Sequence, residues 1–265
     1  MNADIFILAR LDSKRLPKKQ LMTINGIPLI KLLITRLESS KKIRNIVVCT
    51  TNRNCDEPLI EYLDKEGILY FRGSENDILR RFLDAAKQFE TDIIVDVEGD
   101  KIYTDPIYVD KIVEKMEKSN IDYVMGSDLP TKIDHTIHAF TAVCPAVIRT
   151  TALHKICKLK KTKNNETGYR EFFTNTNIFK CEYLTPDSNL QIPKNVRLTL
   201  DYQEDFELAK EIFKELDNNF HFADIIKLLN KKPELLKITE PAIKKWEKHY
   251  YSNITNISLK KINND

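Results

Sequence analysis

Five cations fall within ten residues in Arg10-Leu11-Asp12-Ser13-Lys14-Arg15-Leu16-Pro17-Lys18-Lys19. The apolar run Ile5-Phe6-Ile7-Leu8-Ala9 stands directly before them and reads as a buried strand. A strand end leaves backbone N–H groups without ladder partners, and Arg and Lys beside them add charge and donors. Phosphate is the ligand such a loop suits best. A solvated turn is the plain alternative for a charge run beside a strand.

Two carboxylate-bearing stretches favour the phosphate reading. In Val95-Asp96-Val97-Glu98-Gly99-Asp100 a strand runs into a turn with an acid at its tip. Gly99 allows a sharp turn or a close approach to a ligand. Asp100 then projects from the strand's carboxyl end, where a hard cation can be held. Asp96 alternates to the less accessible side, and Asp105 before Pro106 reads as a helix cap. In Arg197-Leu198-Thr199-Leu200-Asp201 the last residue ends a strand just before a helical pattern. Capping that helix is the ordinary role for Asp201. Together with Asp100 and the cationic loop, however, it completes a trio. Two carboxylates hold Mg²⁺, the metal bridges phosphate oxygens, and the cations neutralise the remainder.

The elements that must position this trio are legible as alternating patterns. Short apolar runs at 5–9, 46–50, 68–71 and 93–97 predict strands, and amphipathic segments at 28–39, 56–66 and 76–89 predict helices between them. Pro28 suits a first helical turn and Gly67 a helix stop. Nearly continuous apolar strands separated by helices imply a mostly parallel sheet covered on both faces, with ligands at the carboxyl ends of its strands. That places 10–19, Gly99-Asp100 and the loop after Phe71 on one rim. Further on, the pattern predicts a helix at 106–118, strands at 123–125 and 196–200, and helices at 205–216, 222–229 and 241–250. Residues 128–193 are less regular and read as an inserted substrate-facing or partner-facing lobe. The expected organisation is one domain over 1–253 with a polar tail at 254–265.

A chain of 265 residues with 42% hydrophobic content can bury a substantial core. Its 31% charged residues nearly cancel to +3, so no global field points to nucleic acid or membrane. The run at 158–163, KLKKTK, reads as a solvated loop, with a nucleic-acid role as the weaker alternative. The first apolar stretch is short and is followed, not preceded, by cations, so it is no signal peptide. No run approaches transmembrane length. Five scattered cysteines without a CxxC pair indicate neither a zinc site nor a disulfide framework and fit a reducing cytoplasm; Cys49 reads as a small core residue. There is no Walker A sequence, no GxGxxG and no Gly-x-Ser-x-Gly elbow. Five histidines show no zinc-type spacing beyond His135/His138, which reads as loop chemistry, and Trp246 reads as packing.

Taken in order, these stretches resemble the nucleotide-sugar cytidylyltransferases. The spore-coat-polysaccharide branch is the nearest in pattern, with the Kdo and acylneuraminate enzymes as wider relatives. Ala9-Arg10 through Ser13, Arg15-Leu16-Pro17 and Lys19 follow that family's first loop, and Asn25-Gly26-Ile27-Pro28-Leu29 continues it. Phe71-Arg72-Gly73-Ser74-Glu75-Asn76-Asp77-Ile78-Leu79-Arg80-Arg81-Phe82 is typical of the spore-coat branch. Glu98-Gly99-Asp100, Thr199-Leu200-Asp201 and Glu204-Asp205 complete the set. The likeness covers about residues 3–118 and 195–215. Asp12 and Lys18 stand where the family often has glycine. The family's Glu-His-x-Thr-Pro-Tyr-like stretch is reduced to Glu166-Thr167-Gly168-Tyr169-Arg170, without a histidine.

The resemblance implies a Rossmann-like mixed sheet of the nucleotide-diphospho-sugar transferase type and transfer of CMP from CTP with release of pyrophosphate. On this reading Ala9, Arg10, Ser13, Arg15, Lys19, Arg72, Ser74, Asp77 and Gly99 bind the nucleotide. Asp100 and Asp201 hold Mg²⁺, and Arg10, Lys19, Asp100 and Asp201 carry catalysis. His138, Tyr169 and Arg170 are the acceptor-side candidates. The acceptor class is a sugar acid, a sugar phosphate or a similar phosphorylated or phosphonate metabolite. Relatives often pair through the inserted lobe, so a homodimer is consistent with this reading. The alternatives are a UTP- or GTP-using sugar-1-phosphate nucleotidyltransferase, a glycosyltransferase, and a nucleotide-binding protein without catalysis.

Overall fold

Strand β1 (Ala3–Leu8) shows why the sheet is covered on both sides. Its side chains alternate, so Ile5 and Ile7 enter one core while Phe6 enters another. The computed structural model describes residues 1–128, 139–162, 164–165, 168–217, 219–253 and 259. The other strands are β2 (Thr23–Ile24), β3 (Ile27–Pro28), β4 (Asn45–Thr51), β5 (Tyr70–Gly73), β6 (Ile93–Glu98), β7 (Tyr123–Gly126), β8 (Ala146–Arg149) and β9 (Cys181–Leu184). The helices are α1 (Leu29–Leu37), α2 (Glu57–Lys65), α3 (Ile78–Phe89), α4 (Pro106–Glu117), α5 (Thr150–Leu159), α6 (Glu171–Thr174), α7 (Gln203–Glu215), α8 (Phe222–Lys231) and α9 (Leu236–Asn253).

Among the described residues seven strands form one sheet in the order β5-β4-β1-β6-β8-β7-β9, and β2 and β3 make a separate hairpin. Strands β5, β4, β1 and β6 run parallel, β8 runs antiparallel to both of its neighbours, and β7 pairs parallel with β9. This is the mixed, mostly parallel sheet expected. Ile5, Ile7, Val95 and Val97 join apolar residues of α1, α2, α4, α7 and α8 in one core. Phe6 and Ile94 join α3, α5 and α6 in the other. Cys49 is fully buried, as its apolar setting predicts.

Several boundaries differ for local reasons. Pro28 is the last residue of β3, with extended ψ 144, so α1 starts one residue later than predicted. The bend before it is an Asn25-Gly26 turn with both residues at positive φ, the geometry of a two-residue hairpin. Strand β5 lies two residues beyond the predicted 68–71. Helix α3 starts at Ile78 because the Asp77 carboxylate caps it, accepting from the Arg80 amide. Asp105 caps α4 as expected, and Gly67 ends α2 at φ +65. The predicted strand at 196–200 is not one. Only Arg197 there makes a single β-bridge, and the Leu200 amide donates to the Asp100 carbonyl (2.9 Å). Helix α9 begins five residues before Pro241 and passes through it, giving up one backbone bond. Within the region read as an inserted lobe, β8 and β9 are strands of the main sheet, while 129–138 lie outside the described residues.

Lys18, at the position where the resemblance predicts glycine, has φ 55 in the left-handed region. An L side chain there costs about 1 kcal/mol. Lys18 is exposed, so Lys18→Gly is expected to raise stability by up to about 1 kcal/mol in a urea melt, without perturbing the buried loop residues.

Candidate active site

The cationic loop is held from beneath. Leu11 and Leu16 are buried in the core, and the Leu11 amide donates to the Asp56 carboxylate (2.7 Å), which Thr51 also contacts. The Lys18 amide donates to the Leu11 carbonyl (3.0 Å), closing the loop, and Ser13 Oγ accepts from the Leu16 amide (3.4 Å). Asp12 is gripped by Arg53 (2.6 Å) and Arg10 (3.3 Å). With its apolar residues turned inward, the loop presents Arg10, Ser13, Lys14, Arg15 and Lys19 to a cleft of about 660 Å³. That volume is in the range of small-molecule sites. Gly99 forms the floor beside it. A Cβ there would meet the Leu8 carbonyl at 2.7 Å and the Gln20 amide at 2.8 Å, so the close approach requires glycine.

Lys19 is the centre of the site. Its ammonium donates to Asp100 Oδ2 (3.0 Å), the Leu200 carbonyl (2.8 Å) and Asp201 Oδ1 (3.1 Å). Burial opposes its charge, but Asp100 and Asp201 prevail and raise its pKa. Asp201 Oδ1 also accepts from Arg15 (2.7 Å), and Oδ2 from Arg197 (3.0 Å). Burial alone would raise the Asp201 pKa. Lys19, Arg15 and Arg197 instead hold it well below the usual carboxylate range. The ordinary capping role falls to Asp205, whose side chain accepts from the Asp201 and Tyr202 amides (2.9 and 3.0 Å). Asp201 is thereby left to the cleft. The Asp100 pKa is raised, by burial first and then by Asp201 and Glu98, against Lys19.

A second cluster lies along β6. Asp96 and Glu98 alternate onto the same side as Ile94, away from the Ile93-Val95-Val97 core. Asp96 is fully buried, accepting from the Tyr169 hydroxyl (2.8 Å) and from Arg170 Nε and Nη2 (3.1 and 3.0 Å). Glu98 pairs with Lys101 (2.8 Å) and lies 3.6 Å from Arg170. Burial would raise the Glu98 pKa, but Arg170 and Lys101 depress it to about 2.

The structure therefore brings together Ala9, Arg10, Ser13, Arg15, Lys19, Gly99, Asp100, Tyr169, Arg170 and Asp201 around one cleft. It does not bring Arg72, Ser74 or Asp77 to that lining. Arg72 pairs with Glu57, Ser74 Oγ accepts from the Asp77 amide, and Asp77 caps α3 while binding Asn165 and Lys160. Instead the family-like 71–82 block contributes Asn76, Ile78 and Arg81. Buried Arg81 donates to the Ser74 and Glu75 carbonyls (both 2.9 Å), so it fixes the loop before α3. His138, Glu166 and Thr167 lie outside the described residues.

Glu98, Lys101, Arg53, Arg81, Arg197 and His249 were not singled out from sequence. For Glu98 a signal existed: the Asp96-x-Glu98 spacing puts both acids on one strand face. For the others, only long-range contacts reveal the role. Trp246 is packed, as expected, but it also lines the cleft.

Asp100 Oδ1 is buried and accepts no hydrogen bond, an arrangement suited to a cation. Asp201 shares the same Lys19 ammonium, so the two carboxylates adjoin. Among the described residues no group of three or more acidic, histidine or cysteine ligands is poised for a metal. One or two carboxylates completed by substrate oxygens is the usual way Mg²⁺ is held, so the donor set fits that ion.

Two expectations follow from these charges. Arg197→Ala removes a buried partner of Asp201 and Asp205, and should cost about 3–5 kcal/mol in a denaturant melt. Glu98 has a folded pKa depressed from 4.5 to about 2, so its contribution is present above pH 4.5 and lost as pH falls towards 2. The stability gap between the wild type and Glu98→Gln should therefore hold steady above pH 4.5 and close towards pH 2 in acid-titrated melts.

Comparison with known proteins accords with this geometry. A family model described as cytidylyltransferase matches residues 5–223. The chain is 35% identical over 233 residues to an uncharacterised protein of Methanocaldococcus jannaschii, covering 88% of this chain and 92% of that one. It is 26% identical to the spore coat polysaccharide biosynthesis protein SpsF of Bacillus subtilis, covering 88% and 97%. A solved cytidylyltransferase from Leptospira borgpetersenii superposes with a TM-score of 0.78 at 28% identity, covering 89% of this chain and 97% of that one. The matched residues run from β1 to the start of α8 and include the loop, both aspartates and the Lys19 ion cluster. The chain belongs to the cytidylyltransferase family of nucleotidyltransferases.

Proposed function

We propose that the protein transfers CMP from CTP to a sugar-type acceptor and releases pyrophosphate. The observation that carries this is the Lys19 cluster: cations and two carboxylates from three chain segments meet at the carboxyl end of the parallel strands. Membership of the cytidylyltransferase family supports cytidine triphosphate as donor, and the polysaccharide role of the Bacillus relative supports a sugar-type acceptor. A sugar acid, a sugar phosphate and a phosphonate are the acceptor classes to test. The free cysteines fit a reducing compartment, the cytoplasm, and among the described residues no helix is long and apolar enough to cross a membrane.

In the reaction, an acceptor oxygen attacks the α-phosphorus in line. The new P–O bond forms as the bond to the β-phosphate bridging oxygen breaks, and pyrophosphate leaves with that oxygen's electron pair. The acceptor proton passes to solvent, or none is lost if the acceptor oxygen is already ionised. Arg10, Arg15 and Lys19 neutralise the triphosphate, and Ser13 helps shape the loop that carries them. Arg15 and Lys19 rest on Asp201 before substrate arrives, so the cations are held in place rather than ordered on binding. Asp100 and Asp201 would hold Mg²⁺, which when bound supplies further charge neutralisation at the phosphates. Tyr169 and Arg170, locked onto Asp96, are the acceptor-side candidates.

A scan of pyrophosphate release with the four nucleoside triphosphates, Mg²⁺ and a panel of acceptors tests the reading. CTP should be the preferred donor, and product mass should increase by a CMP unit. Preference for UTP or GTP, or binding without turnover of any acceptor, would replace it. Asp100→Asn should lower turnover by about 10²-fold or more, and Lys19→Ala should weaken CTP binding. Wild-type turnover by the first variant would remove Asp100 from the reaction.

A further inference from the structure

The family match ends at residue 223, yet α9, at 236–253, reaches back to the cleft. Its mooring is specific. Lys245 pairs with Glu204 at the start of α7 (2.6 Å). The Trp246 ring lies 5.7 Å from the Arg197 guanidinium, which itself holds Asp201. The Tyr202 ring stands between Arg15 (5.3 Å), Arg197 (5.8 Å) and Lys245 (5.8 Å), joining the cationic loop to the helix. Trp246 and His249 are three residues apart and share a helix face. Trp246 is packed and sets the depth of the helix, whereas His249 is exposed and lines the cleft with Lys14, Arg15 and Asp201. The charges of Arg15, Lys14 and Asp201 all reach its ring.

We propose that α9 is a wall of the phosphate-tail site and that His249 is a further binding residue, donating a ring N–H to the pyrophosphate portion of the nucleotide. The proposal rests on the transferase reading, because the anion is the one that reaction releases. Its physical basis is position. Arg15 and Lys14 line the cleft from the loop, and the imidazole adds a directional donor to the same cleft from a separate element. The ring needs no positive charge for this, since a neutral imidazole carries one N–H. A hydrogen bond to a charged oxygen is worth roughly tenfold or more in affinity.

Binding of inorganic pyrophosphate with Mg²⁺, measured by calorimetry on the full chain, tests this. His249→Ala should weaken that binding and raise the KM for CTP by about tenfold, leaving the KM for the acceptor unchanged. His249→Gln, which keeps an N–H donor, should recover part of the loss. His154→Ala, an exposed histidine of α5 outside the cleft, should match the wild type. Thermal melts check that each variant is folded, which the exposed position of His249 favours. Unchanged pyrophosphate affinity in His249→Ala, alongside a loss in Lys19→Ala, overturns this inference and leaves the transferase reading standing. A rise in the acceptor KM alone overturns it too. Absence of pyrophosphate binding by the wild type, or an unaffected Lys19→Ala, overturns both.

Discussion

One buried ammonium ties this molecule's chemistry together. Lys19 donates to Asp100 at the end of β6, and to Leu200 and Asp201 in the segment before α7. These groups are more than eighty residues from Lys19 in sequence, and their meeting defines the cleft. An ammonium taken from water is costly unless its partners are well placed, so removing any one partner is expensive. The surrounding structure serves this placement. Leu11 and Leu16 anchor the loop, Asp56 accepts the Leu11 amide, Asp205 takes over helix capping, and Arg197 pairs with the second oxygen of Asp201. The result is a charge arrangement made before any substrate enters.

Preformed charge has a second consequence. Asp201 is shared by three cations, whereas Asp100 keeps one oxygen without a hydrogen bond. The two aspartates are therefore unequal: one is held ionised by three cations, the other is partly buried with its pKa raised and one oxygen open. On the proposed reading a triphosphate competes with Asp201 for Arg15 and Lys19, so the contacts that hold these cations become exchangeable on binding, while the ordering of the two long side chains is accomplished in folding. The Asp96–Tyr169–Arg170 cluster is a similar device on the other side of Glu98, where a fully buried carboxylate fixes the direction of a guanidinium that borders the cleft.

Much of the scaffold was legible because its determinants are local. Period-two burial in Ile5-Phe6-Ile7, amphipathic spacing at 78–89 and the Asp105-Pro106 start each act within a few residues of chain. Where the local rule met a longer-range contact, the reading slipped. Residues 196–200 look like a strand, but Arg197 is drawn into ion pairs with Asp201 and Asp205, and Leu200 bonds to Asp100. Arg72, Ser74 and Asp77 sit in a family-like motif, but they pair among neighbouring elements and build the loop that carries Asn76 and Arg81 to the cleft.

The sequence by itself determined the kind of sheet, the cationic loop and the two acids that face it, since strand ends, loop composition and carboxylate position are properties of short segments. Only the tertiary structure decided which of those charges meet. Lys19 could not be assigned to Asp201 from spacing, nor Arg170 to Asp96, nor a C-terminal helix to the rim of an N-terminal loop. Pairings of this sort depend on how layers stack in space, and electrostatic energy falls with distance between atoms, not with distance along the chain.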